Sequence, residues 1–231
     1  MEYGQLTLFC AVPGFFVMLV PLIAPEYCML LELEESQLVL VDYQERLMPA
    51  MVGGADAVLN AARLAQAARL LKLPVFVTEQ NAPKLGPTVA ELRNALGDYA
   101  RVFPKLMFSA VEEGLGEWLQ PAPQPVQGNA RSLPKHLQKP AAQGPQRTSV
   151  VLAGCEAHVC LLQTALDLLE DEMDVWVVVD ACTSRTERNR DAAFDRLAGA
   201  GVELVTTEMV LFEWLRGAEH PSFKAVQALI K

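Results

Sequence analysis

The chain has 231 residues, of which 52% are hydrophobic, 20% charged and 7% aromatic, the ordinary make-up of a globular protein. A chain of this length buries about 70% of its unfolded surface, which excludes collagen-like, disordered and disulfide-framework classes. The net charge of −9 is uneven: residues 1–45 hold seven acids and no Lys or Arg, whereas the rest hold 21 acids and 19 bases, so no basic stripe suited to nucleic acid is present.

Leu6 to Ala24 is an uncharged, mostly apolar run of 19 residues, long enough for a short membrane span or the core of a signal peptide. Against both, no Lys or Arg precedes it and none follows until Arg46, so the flanking charge that sets orientation is missing. Pro13, Pro21 and Pro25 punctuate the run, and no A-x-A cleavage site ends it. Met29 opens a stretch, MLLELEESQLVLVD, that reads like a natural start. Residues 1–28 are therefore read as an extension outside a folded domain at 29–231. A membrane or export segment and an ordered extra element are the alternatives.

From Gln37 the chain alternates β-rich and helical runs. Strands are expected at Leu38–Asp42, Val75–Thr78, Thr148–Ala153, Val175–Val179 and Glu203–Thr206. They are continuous apolar runs, as in a parallel sheet covered on both faces. Helices are expected at Asp56–Lys72, closed by Leu73-Pro74, at Ala157–Glu170, and at Glu187–Ala198, stopped by Gly199 and Gly201. The apolar tail Phe212–Ile230 has helical spacing and suits core or interface equally. This rhythm implies a doubly wound, mostly parallel α/β sheet with ligands outside the carboxyl ends of its strands, near Asp42, Thr78 and Gly154.

Leu119–Ser149 stands apart, with six prolines, no aromatic residue, no acid, and four bases (Arg131, Lys135, Lys139, Arg147). A Pro-rich insertion of this length is a lid, a contact arm or a disordered segment. Five cysteines (Cys10, Cys28, Cys155, Cys160, Cys182) form an odd set without CxxC spacing, which supports neither a disulfide framework nor a zinc site and suits a reducing compartment.

The run Val150-Val-Leu-Ala-Gly-Cys-Glu-Ala-His-Val-Cys160 carries the chemistry. A strand ends at Gly154 and a helix opens near Ala157, placing Cys160 in its first turn. Unpaired N–H groups and the macrodipole there favour a thiolate and an oxyanion; the bland reading is a small core cysteine. Asp42, ending an apolar strand, is a general base or a turn cap. Lys105 is the one charge in Val102–Phe108: a buried Lys there would hold Asp42 and Cys160 ionised, and otherwise it snorkels.

Together, Leu-Val-Asp42-Tyr-Gln44, Thr78-Glu-Gln80-Asn, Pro104-Lys105, Gly154-Cys-Glu156-Ala-His-Val-Cys160 and Val179-Asp-Ala-Cys182-Thr-Ser resemble the isochorismatase-like cysteine hydrolases, over about Leu38 to Lys231. The resemblance is to their metal-free, isochorismatase-domain branch. It implies a Rossmann-like three-layer α/β/α fold, Cys160 as nucleophile, Asp42 as proton shuttle and Lys105 as the residue that tunes both. It also implies a cis peptide at Cys155–Glu156 that, with Cys160, aims N–H groups at the substrate oxygen. Glu156, Ala157, Gln44 and Gln80 are the expected oxyanion and substrate contacts.

Nicotinamidases in this superfamily hold a metal with an Asp and two His. Here the only histidines are His136, His158 and His220, none at the matching positions, so neither metal nor cofactor is expected. The expected activity is cleavage of a carbon–nitrogen, amide-type bond of a small molecule through a thioester, in a cytoplasmic homo-oligomer without nucleic-acid or membrane partners. The alternative is a non-catalytic α/β binding or thiol redox-sensing module, with Cys155 as resolving thiol.

Overall fold

The computed structural model describes residues 30–121 and 147–231. The expected N-terminal extension and most of the Pro-rich insertion, with Cys10, Cys28 and His136, lie outside the described residues. The chain divides into Met1–Leu30 and Leu31–Lys231; all that follows concerns the second unit.

Six strands form one parallel sheet in the order β3-β2-β1-β4-β5-β6. In chain order they are β1 (Ser36–Val41), β2 (Val75–Gln80), β3 (Arg101–Lys105), β4 (Ser149–Gly154), β5 (Asp174–Val178) and β6 (Glu203–Val205). The helices are α1 (Gly54–Leu71), α2 (Ala82–Leu85), α3 (Ala90–Leu96), α4 (Leu115–Leu119), α5 (Leu162–Glu170), α6 (Glu187–Gly199), α7 (Thr207–Leu215) and α8 (Phe223–Gln227). One helical layer joins α1 to α3, α7 and α8; another joins α5 to α6. The doubly wound, three-layer expectation is met.

The central strands β1 and β4 are buried at every residue, as strands covered on both faces must be. Strand order reverses between them, which opens a crevice at their carboxyl ends. Gly154 makes this pairing possible: opposite Val41 in the register, a Cβ there would stand 2.5 Å from the Val41 Cβ and overlap the Val41 carbonyl.

Three expectations change. Strand β3 was not foreseen, because Pro104 and two bases interrupt its apolar pattern; as an edge strand it tolerates all three. Thr206 caps α7 instead of ending β6, its hydroxyl accepting from the Met209 N–H at 3.3 Å. The apolar tail breaks into α7 and α8 at Arg216, which has a left-handed φ of 58°. Trp214, Leu215 and Val226 from these helices are core residues. Among the described residues no helix is long and apolar enough to cross a membrane.

Candidate active site

Strand β1 ends at Val41, and Asp42 turns out of it in the left-handed region, φ 54°, a conformation that Asp adopts more readily than most residues. Its N–H donates to Thr78 O (3.2 Å) while its own carbonyl accepts from the Gln44 N–H (2.8 Å). The bend holds a fully buried carboxylate at the ends of β2 and β3. There Thr78 Oγ1 donates to Oδ1 and Lys105 Nζ to Oδ2, each at 2.7 Å. Parallel register sets this up, pairing Val41 with Thr78 and Gln80 with Lys105.

The Lys105 ammonium is as buried as the carboxylate it meets. It also donates to Gln80 Oε1 at 2.7 Å, Phe108 O at 3.0 Å and Met107 O at 3.3 Å. A charge this deep persists only when its hydrogen-bonding capacity is met. Gln80 in turn donates from Nε2 to Leu106 O at 2.5 Å, so one amide anchors both the lysine and the loop beyond it. Gln44 stands one step back. Its Nε2 donates to Gln80 O and Gly86 O, and its Oε1 accepts from the Gln80 N–H. Leu106, Met107 and Phe108 present exposed side chains beside the lysine.

On the other side of the crevice, β4 leads through Gly154 into a cis peptide at Cys155–Glu156. The first turn is wider than the α-helix expected from Ala157. Residues Ala157–Leu161 form a π turn, with the Leu161 N–H reaching back to Glu156 O at 3.3 Å, before α5 begins at Leu162. Such turns recur at functional sites, and nothing in the sequence signals one here. The Cys160 thiol, on this turn, faces Asp42 and Lys105.

Its electrostatics differ from the expectation of a standing thiolate. Burial first, and then the Asp42 carboxylate, push the thiol up to about 12, while Lys105 pulls the other way. Desolvation and a like charge at contact range outweigh both the lysine and a helix dipole screened within one turn. The Cys160 thiol is therefore held in its neutral form beside a carboxylate.

The Glu156 side chain points away, to Arg185. Nε of the guanidinium donates to Oε2 at 2.9 Å and to Oε1 at 3.2 Å, Nη2 donates to Oε1 at 2.6 Å, and the Arg185 N–H donates to Oε2 at 3.1 Å. These bonds hold the carboxyl below the usual range. The Ala157 N–H donates to Thr183 O at 2.8 Å. His158 lies with Nδ1 against Ser184 Oγ and Nε2 against Asn189 Nδ2. Cys155 turns its thiol to Asp42 O at 3.2 Å and Met48 Sδ at 3.3 Å. Cys155, Cys160 and Cys182 are all free and buried. Among the described residues no group of three His, Cys, Asp or Glu is arranged to hold a metal ion.

The structure thus brings Asp42, Lys105, Cys160 and Gln80 together. Gln44 reaches them through the backbone of Gln80, whereas the Glu156 side chain is taken by Arg185 and the Ala157 N–H by Thr183 O. Thr78, expected as a strand end near which ligands sit, and Arg185, which the sequence does not single out, complete the set; β2 runs two residues past Thr78, to Gln80.

The isochorismatase-domain family model matches residues 36–123 and 132–209. The chain belongs to the isochorismatase family. Curated relatives include isochorismatase domain-containing protein 2 of Xenopus laevis, 38% identical over 195 residues, covering 84% of this chain and 83% of the relative. The mouse protein 2A is 37% identical over 198 residues, covering 86% and 84%. Among solved structures, the MAR1 ribonuclease from Caenorhabditis elegans aligns with TM-score 0.74 and 33% identity, covering 87% of this chain and 92% of that one. The Escherichia coli YcaC gene product, described as an octameric hydrolase of unknown specificity, shares the fold at TM-score 0.69 and 24% identity, covering 86% and 87%.

Proposed function

We propose that this isochorismatase-family protein is a cysteine hydrolase that cleaves the carbon–nitrogen bond of a small amide, with Cys160, Asp42 and Lys105 as its catalytic residues. The observation that carries the reading is a buried thiol facing a carboxylate that is itself ion-paired to a buried ammonium at 2.7 Å. Sγ attacks the amide carbonyl as its proton passes to Asp42. That transfer removes the negative charge that opposed the thiolate and leaves the sulfur facing Lys105 alone, so a high resting thiol pKa is compatible with attack.

The backbone N–H groups of Glu156 and Cys160 hold the oxyanion, each such donor being worth about 3–4 kcal/mol in studied hydrolases. Asp42 then gives its proton to the leaving nitrogen, and the C–N bond breaks to leave a thioester. A water, deprotonated by Asp42, attacks the thioester; the acid departs and the thiol is restored.

A panel of small primary amides, scored by ammonia release, tests the reading. Turnover that vanishes in Cys160→Ala with an unchanged fold is the expected result, and turnover that survives refutes it. The ribonuclease activity named for the nematode relative fits poorly with a net charge of −9, because phosphate contacts need clustered cations. The octameric E. coli neighbour and the exposed Leu106–Phe108 run support a homo-oligomer, testable by light scattering. Three free thiols favour a reducing compartment such as the cytoplasm.

A further inference from the structure

We infer that Arg185 is a positioning residue for the oxyanion hole: by clamping the Glu156 carboxylate it orients the Cys155–Glu156 peptide whose N–H meets the substrate oxygen. This rests on the hydrolase reading above. Residue 156 is gripped from one loop at two levels. Thr183 accepts the Ala157 N–H at 2.8 Å and donates its own N–H to Gly154 O at 3.2 Å, bracketing the turn through its main chain. Two residues later, Arg185 grips the side chain with its planar fork and adds its backbone N–H.

The Glu156 carbonyl is spent on the far side, accepting from the N–H groups of Val159 and Leu161 at 3.0 and 3.3 Å. The side chain is tied to Arg185 and the following peptide is tied at both its carbonyl and its N–H, which holds the Glu156 Cα and so directs the N–H that precedes it. The pair is half-screened, with the Arg185 side chain 62% exposed and that of Glu156 8%, so it contributes less to stability than a fully buried pair. Its bidentate geometry supplies direction instead, which a lysine point charge reproduces only in part. An oxyanion donor moved by a fraction of its hydrogen-bond length loses much of its effect on the transition state and little on ground-state binding.

The test separates two reactions of one sulfur. 4-Nitrophenyl acetate acetylates Cys160 through an oxyanion: the sulfur–acyl bond forms, nitrophenolate leaves, and the thiol proton passes to Asp42. Iodoacetamide alkylates the same sulfur by displacing iodide, with no oxyanion. Both adducts are mapped by peptide mass spectrometry on the full chain.

Arg185→Met is expected to slow acetylation between about 10- and 100-fold while alkylation stays within about twofold of wild type, as it does not use the hole. Arg185→Lys is expected to recover part of the acetylation rate. Adding Glu156→Gln to Arg185→Met is expected to cost little more, because the clamp is already gone. Acetylation unchanged in both Arg185 variants overturns the inference and leaves the hydrolase reading standing. Equal losses in both reactions also overturn it, since the residue then merely supports the fold. A wild-type Cys160 that is alkylated but never acetylated overturns both.

Discussion

Replacing Lys105 by Met removes an ammonium with four acceptors around it and leaves the fully buried Asp42 carboxylate with Thr78 Oγ1 and the Cys160 thiol as its side-chain partners. Breaking a buried pair from one side costs about 3–5 kcal/mol, mostly from the uncompensated charge.

Asp42→Asn alone strands the ammonium at a similar cost. The double variant Asp42→Asn/Lys105→Met buries no net charge and should be more stable than the sum of the single losses by roughly 2–3 kcal/mol. Urea unfolding followed by tryptophan fluorescence reads all four proteins. Additive losses would refute the assignment of an ion pair here.

Four further outcomes follow from the same geometry. Alkylation of Cys160 by iodoacetamide across pH should rise with a midpoint above that of a free thiol, since burial and Asp42 hold it at about 12; peptide mapping showing a midpoint below about 8.5 would contradict the neutral-thiol resting state. Stability should fall as pH climbs from about 9 toward 12, because unfolded thiols ionise there while Cys160 and Cys182, both raised to about 12 by burial, keep their protons; Cys182→Ala should flatten that slope in denaturant titrations. Thr78→Val removes one hydrogen bond to the carboxylate and should cost about 1.5–3 kcal/mol, with a fall in Cys160 acylation, both measurable on one preparation. Gly154→Ala forces a Cβ to 2.5 Å from that of Val41 across two central strands and should lower the melting temperature more than an alanine at the solvent-facing Gly217, where no atom lies within 4 Å.

Much of the site was legible because its residues end apolar strands. A charge after Leu-Val-Leu-Val, as at Asp42, or a thiol six residues after the end of a strand, as at Cys160, is conspicuous in a background of buried hydrophobes. Arg185 offered no such contrast. It is a lone arginine in a short polar loop just before the arginine-rich α6, and its value comes from lying opposite Glu156, 29 positions earlier. Strand β3 was hidden for a related reason: an edge strand has one covered side, and its Val102 and Pro104 are exposed.

Local pattern by itself determined the alternation of parallel strands and helices, and it made Asp42, Lys105 and Cys160 stand out at the ends of those strands, while their roles came only from the family resemblance. It did so because burial periodicity and the cost of a stray charge in an apolar run are properties of short segments. Tertiary structure alone decided the charge state of the Cys160 thiol. A thiol at a helix start reads as acidic in sequence, yet here it is buried and faces the carboxylate that follows β1, and the energy of a charge depends on what surrounds it in space, whatever its place in the chain.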